Sequence, residues 1–76
     1  MARIASFHKV AKDRTGLHEP TEAQYLAFDT AAGRILQIDT IGSRQRKEVG
    51  KMSQSIQLDR QTAGELLAIL RETFEL

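Results

Sequence analysis

The sequence predicts an α+β fold in which a four-stranded antiparallel sheet is followed by one C-terminal amphipathic helix, in the order β-β-β-β-α. Two observations predict this class. Apolar and polar residues alternate in four separate stretches, which is typical of strands, and the last stretch runs straight into an apolar pattern of helical period. Because no helical pattern separates the strands, the parallel sheet of α/β proteins is not expected. The helix is expected to pack on one face of the sheet and to leave the other face open.

The first strand is predicted over residues 3–11, where Ile4, Ser6, His8 and Val10 share one parity. Residues 12–22 are polar and rich in turn-forming residues, which predicts a loop. Residues 24–30 and 34–41 alternate again, and the short Ala31-Ala32-Gly33 link between them predicts a hairpin. Gly33 can adopt the positive φ that such a turn needs.

Residues 51–58 form the fourth predicted strand, after a glycine-bracketed loop over residues 42–50. Asp59 is a good N-cap for a helix from Arg60 to about Phe74. Its apolar stripe follows the i, i+3, i+4, i+7, i+11 pattern of Ala63, Leu66, Leu67, Leu70 and Phe74. Ile69 and Leu76 widen this arc. Two interpretations stay open: a broad core face, or a subunit contact made by Leu66, Ile69, Phe74 and Leu76.

Seventy-six residues make one domain, 1–76, and a chain this short buries only roughly 60% of the surface that it exposes when unfolded. It contains no cysteine, so disulfides and thiolate metal sites are excluded and oligomerisation is the expected source of extra stability. No apolar run is long enough to span a bilayer, and the N-terminus lacks the apolar segment of a signal peptide. A soluble, cytoplasmic protein without membrane partners is expected.

No motif in the chain predicts catalysis, a cofactor or a metal. His8 and His18 lack metal-ligand spacing. Asp29 and Asp39 could act as an acid–base pair, but no other residue type supports that chemistry. The Gly50-Lys51 pair lacks the upstream glycine and the Ser or Thr of a phosphate-binding loop. We therefore expect the protein not to be an enzyme.

Positive charge is concentrated in residues 44–51, where Glu48 is the one acidic residue among Arg44, Arg46, Lys47 and Lys51. With Arg34 across the hairpin, these side chains are predicted to form a basic ridge that contacts phosphates. Gln37, Gln54 and Gln57 could add hydrogen bonds to bases or sugars, while Tyr25 is the one tyrosine available for stacking. The alternative is an ordinary solvated loop.

In order and spacing, residues 25–70 resemble the single-stranded-DNA-binding domain of the transcriptional coactivator family called positive cofactor four. The matching features are Gly33, the strand Ile35 to Asp39, the basic Lys47-Glu48-Val49-Gly50-Lys51, the segment Ile56-Gln57-Leu58 and the helical Leu66 to Leu70. Val49 replaces the family's proline. Small residues such as Ala31 and Ser43 stand where the family has aromatic residues.

This resemblance implies a homodimer that holds single-stranded nucleic acid, in transcription or DNA maintenance. Arg34, Lys47 and Lys51 would contact the nucleic-acid backbone, and Arg44 and Arg46 lie in a segment that is also basic in the family. The missing aromatic residues leave base stacking with little support.

Two other functions remain open from the sequence. One is a protein-interaction or regulatory module that binds a larger protein assembly through its open sheet face, residues 12–22 or the Ile69/Leu76 flank. The other is a ligand-binding or enzymatic fragment of a larger protein, which would require an enclosed polar pocket that a domain of this size rarely builds.

Overall fold

The computed structural model describes residues 1–42 and 52–76 and has four strands and one helix in these ranges. The elements are β1 (Ala2–Arg3), β2 (Ala23–Thr30), β3 (Gly33–Ile41), β4 (Met52–Leu58) and α1 (Arg60–Phe74). The strands form one sheet in the order β1-β4-β3-β2. The predicted α+β class is confirmed, with four strands followed by a helix that packs against β3 and β4.

β1 is shorter than predicted, and its direction relative to its neighbouring strand differs from the predicted antiparallel one. It pairs with β4 in parallel, with Ala2 opposite Ile56 and Arg3 opposite Gln57, so the sheet is mixed rather than wholly antiparallel. Just after β1, the Ile4 amide donates a further hydrogen bond to the Gln57 carbonyl of β4, at 2.9 Å. Residues 5–22 form no strand, and nearly all of them are exposed. Polar residues occupy both parities of the predicted strand, so neither face offers a continuous apolar surface for burial.

The predicted hairpin of β2 and β3 is confirmed. The two strands pair in antiparallel register from Ala23 opposite Thr40 to Thr30 opposite Gly33. Gly33 has a φ of 107°, a left-handed conformation that favours glycine. The Thr30 hydroxyl closes the turn, because it donates to the Gly33 carbonyl at 2.8 Å and accepts from the Ala32 amide at 3.0 Å.

β3 also pairs with β4 in antiparallel register, from Leu36 opposite Leu58 to Ile41 opposite Met52, with an irregularity between Thr40 and Ile41. β3 and β4 are therefore the two central strands. Residues 43–51, which contain most of the predicted basic ridge, lie outside the described residues and join the ends of these two strands.

α1 begins at a capping box. The Asp59 carboxylate accepts from the Thr62 amide at 2.9 Å, and the Asp59 amide donates to the Thr62 hydroxyl at 3.0 Å. The helix ends at Glu75, whose left-handed φ of 55° turns the chain. The predicted cap and helix bounds are confirmed, since both depend on local sequence.

The chain by itself has little core. In the described residues the buried apolar side chains are Ile35 and Leu58. The whole chain exposes 7149 Å², whereas a compact monomer of 8.5 kDa exposes about 4,700 Å². Its radius of gyration is 14.6 Å, compared with about 11 Å for a compact domain of this length.

Candidate nucleic-acid interface

The strand register determines which side chains share each face of the sheet. Side chains alternate along a strand, and directly paired residues share a face. The register therefore places five polar side chains together on a face that we call the polar face: Gln24, Gln37, Asp39, Ser55 and Gln57. Towards the β2–β3 hairpin the same face carries Leu26, Phe28 and the buried Ile35. The opposite face, which we call the apolar face, carries a row across three strands: Tyr25, Ile38 and Ile56.

Hydrogen bonds centred on Asp39 link polar side chains of this face. Its two carboxylate oxygens accept from the side-chain amides of Gln37 at 3.0 Å and Gln24 at 3.3 Å. The Gln37 carbonyl oxygen in turn accepts from the Gln57 amide at 2.8 Å. Three strands therefore contribute to one continuous network.

Asp39 is an anion at neutral pH although its side chain is only 3% exposed. The hydrogen bond from Ser55 is the main cause that lowers the pKa of this carboxyl below its ordinary value. Burial opposes the shift, and the bonds from Gln24 and Gln37 add to it. Because a carboxylate can only accept, both glutamines must turn their NH₂ groups towards it.

The predicted basic ridge is only partly within the described structure. Arg44, Arg46, Lys47 and Lys51 lie outside the described residues. Arg34 is exposed and pairs with Asp29, with 2.9 Å between its Nη1 and the carboxylate oxygen. It lies at the hairpin end of β3, seven residues before Ile41, which is about 23 Å along the strand. The structure therefore places Arg34 far from the strand ends that residues 43–51 join.

Part of the network, Gln24, Asp39 and Ser55, lies towards the end of the sheet where residues 44–51, the basic segment, attach, whereas Gln57 lies at the other end of β4. Asp39 pairs with Ser55, and Ile41 pairs with Met52. Residues 42–51, which include the basic segment, connect Ile41 to Met52 along the chain. The start of β2 lies at this end too, since the Ile41 amide donates to the Glu22 carbonyl and the Thr21 hydroxyl donates to the Ile41 carbonyl.

The apolar face presents the one tyrosine to solvent. The Tyr25 side chain is 79% exposed on the edge strand β2, and Ile56 in the same row is also exposed. An exposed aromatic ring beside apolar side chains can stack on a base or bury against a protein.

The predicted subunit-contact residues of α1 are largely accessible. Phe74 is 65% exposed, Ile69 and Leu76 are also exposed, and Leu66 is half-buried. Leu67 from the predicted core stripe is 49% exposed, and only the narrower set Ala63, Leu66 and Leu70 is half-buried. One carboxylate oxygen of Glu65 is enclosed and has no hydrogen-bond partner in residues 1–42 and 52–76, which is costly.

Within the described ranges, no three His, Cys, Asp or Glu side chains come together as a metal site. His8 is exposed and its ring shares a 3.1 Å hydrogen bond with the Ser6 hydroxyl. No helix among these residues combines the length and apolar character that a bilayer crossing requires.

Sequence reasoning treated Gln37 and Gln57 as separate polar residues and did not identify the network. The signal was present, because Gln37 and Asp39 share one parity of β3 while Ser55 and Gln57 share one parity of β4. The strand register, which the alternation leaves open, was needed to bring these two pairs and Gln24 together.

Comparison with known proteins adds no relative. No family model matches the chain, and neither the curated proteins nor the solved structures contain a match to it. The candidate interface is therefore defined by this chain's own residues: the polar face and the basic segment.

Proposed function

We propose that this chain is a non-enzymatic, cytoplasmic protein that binds single-stranded nucleic acid as a homodimer. The observation that carries the proposal is the position of the basic segment. Four cationic residues lie within the one connection that joins the two central strands: Arg44, Arg46, Lys47 and Lys51. A local cluster of positive charge can orient a polyanion, while the low net charge of +1 limits non-specific binding elsewhere on the chain.

Phosphate contacts made by these cations would give an affinity that falls with salt. Each phosphate neutralised on a single strand contributes about −0.7 to the slope of log affinity against log salt concentration. Four contacts in each protomer therefore correspond to a slope of about −3. Arg34 contributes less to this attraction, because Asp29 already neutralises it.

Dimerisation is supported by the exposed surface. The chain exposes about 2,400 Å² more than a compact monomer of its mass, and a standard protein interface covers about 800 Å² of each partner. The exposed apolar residues of α1 are the natural surface for a second copy, which would also pair two basic segments in one particle.

The proposal is tested by titrating a fluorescent single-stranded oligonucleotide at several salt concentrations. We expect tight binding at low salt with a clear salt slope. Replacing Arg44, Arg46, Lys47 and Lys51 by alanine should reduce the magnitude of that slope by about 3 per protomer. The matched control removes four exposed cations elsewhere: Lys9, Lys12, Arg14 and Arg71. Absence of binding at low salt, or an equal effect of both quadruple variants, would contradict the proposal.

A second candidate function is protein interaction through the apolar face, favoured by the exposure of Tyr25 and Ile56 in one row. Apolar surface of this kind on a small domain often marks a binding site for another protein. The oligonucleotide titration separates the two functions. A folded protein that does not bind the oligonucleotide at low salt supports this second candidate.

A further inference from the structure

β2 forms one edge of the sheet, and its outer side, which faces away from β3, has no neighbouring strand among the described residues. The helix packs against β3 and β4 rather than against β2. All residues of β2 except Phe28 are exposed, including the large apolar side chains of Tyr25 and Leu26. An exposed strand edge presents unpaired backbone amides and carbonyls, which act as a template for another strand.

The register shows which backbone groups of β2 point outwards. In an antiparallel pair, alternate residues exchange hydrogen bonds with the neighbouring strand, and the residues between them point their amide and carbonyl groups away from it. The Glu22 carbonyl accepts from the Ile41 amide, so Glu22 and every second residue after it bond to β3. The other residues of β2 point both backbone groups outwards: Ala23, Tyr25, Ala27 and Asp29.

β2 lacks the features that usually keep a strand edge from pairing with another chain. Such features are lysine or proline residues, a bulge, or a very short strand. β2 has 8 residues without lysine, arginine or proline, and its register with β3 is unbroken. Its one charged residue, Asp29, is already paired with Arg34. The edge is therefore suited to accept a further strand.

A second copy of the same strand fits this edge. Two copies of β2 can run antiparallel with Leu26 of each copy opposite Leu26 of the other. Tyr25 then lies opposite Ala27 of the second copy, which places a large ring beside a small methyl group. Ala23 lies opposite Asp29, which keeps the two carboxylates apart. In this register all outward backbone groups of both strands exchange hydrogen bonds about a two-fold axis, as in an isologous dimer contact.

We infer that the outer edge of β2 binds the same edge of a second copy, so that two sheets join into one. A second copy is also supported by the surface of the chain, which is larger than that of a compact monomer of its mass. Because backbone hydrogen bonds replace bonds to water and add little net free energy, the pairing is weak and increases with protein concentration.

This contact is separate from the α1 surface, because α1 lies against β3 and β4. In a homodimer held by α1, pairing at β2 joins one dimer to the next. The inference goes beyond the proposed function and requires no nucleic acid, so its failure leaves that function standing.

Disulfide trapping tests the pairing and its register. The chain contains no cysteine, and in this register the two Leu26 residues form a non-hydrogen-bonded pair. Such pairs lie about 4.5 Å apart at Cα, which is within disulfide range. Leu26→Cys should therefore form a covalent dimer under a mild oxidant, seen on a non-reducing gel.

The matched control is Ala23→Cys, which places a thiol at an exposed position of the same strand. Its two thiols would lie about 20 Å apart in this register, so it should stay a single chain on the gel. Equal cross-linking of the two variants, or no cross-linking of Leu26→Cys, would contradict the pairing.

Amide hydrogen exchange of the wild-type protein, followed by NMR at a low and a high protein concentration, tests the same contact without a substitution. The inward amides of Gln24, Leu26 and Phe28 are the internal control, because β3 protects them at both concentrations. The outward amides of Tyr25 and Ala27 should exchange at least about tenfold more slowly at the high concentration. Outward amides that exchange fast at both concentrations would overturn the inference. Equal protection at both would overturn it too, because it would indicate that the chain covers its own edge.

Discussion

Asp59 connects β4 to α1 and stabilises the first turn of the helix with its carboxylate. The amide and then the hydroxyl of Thr62 are the main causes that lower the pKa of Asp59, with a further contribution from the charge of Arg3. Because the pKa is lower in the folded state, the charged cap stabilises the fold fully above the ordinary value near 3.9. That stabilisation is lost as the pH falls through the lower, folded-state pKa.

Replacing Asp59 separates its capping role from its charge. Asp59→Ala should lower the midpoint of thermal unfolding at pH 7, because alanine caps poorly. Asp59→Asn should keep most of the pH 7 stability, since asparagine caps as well as aspartate, and should lose less between pH 5 and pH 3. Thermal unfolding followed by circular dichroism at both pH values is the measurement. If Asp59→Asn kept the wild-type pH dependence, the carboxylate charge would have no such role.

At the scale of elements, α1 is defined clearly at both ends and packs weakly in between. Its cap and its left-handed terminus follow from local residues. Its exposed glycine, Gly64, has open space where a Cβ would stand. A helix-interior glycine costs backbone entropy, and no side-chain contact among the described residues offsets that cost.

Gly64→Ala should therefore raise the free energy of unfolding by about 0.5–1 kcal/mol, because alanine restricts the unfolded chain and suits the helix. This corresponds to several degrees in the unfolding midpoint. Gly33→Ala is the contrasting variant, and it should lower stability by about 1–2 kcal/mol because a side chain disfavours φ near 107°. Both are measured by thermal unfolding at one protein concentration. A loss of stability in Gly64→Ala would indicate that a second chain packs closely against this glycine.

At the scale of the whole molecule, the described structure has only two buried apolar side chains, Ile35 and Leu58. Hydrophobic burial is the dominant favourable term in folding, and here much of the apolar surface of α1 stays in water. The sheet and helix have defined hydrogen bonds, but these add little net stability without burial. A second copy covering α1 would supply what the single chain lacks.

Solution mass measured by light scattering tests this assembly. The wild-type protein should have about twice the mass of one 8.5 kDa chain. The double variant Ile69→Glu/Phe74→Glu should dissociate and unfold at a lower temperature, since it places charge on the exposed apolar surface. The matched control, Gln61→Glu/Thr73→Glu, adds the same charge at exposed polar positions of the same helix. A wild-type mass of one chain, or equal dissociation of both variants, would argue against a dimer built on α1.

The elements whose signals are local could be predicted from the amino-acid sequence. Alternation in residues 24–41 and 51–58 identified three strands, the link to Gly33 identified the hairpin turn, and Asp59 identified the start of the helix. These features depend on neighbours within a few residues, where steric and hydrogen-bonding rules act directly. The basic segment was also visible in the sequence, and its contacts stay a prediction.

Three features could be seen only in the folded chain: the direction and length of β1, the separation of Arg34 from the basic segment, and the network around Asp39. Each depends on which residues far apart in the chain become neighbours: Arg3 lies beside Gln57, and Asp39 lies between Gln24 and Ser55. Alternation tells which side chains share a face of one strand, but it contains no information about the partner strand, its register or its direction. The network arises from that register, because pairing places Gln24 beside Asp39 and Gln37 beside Gln57 on one face.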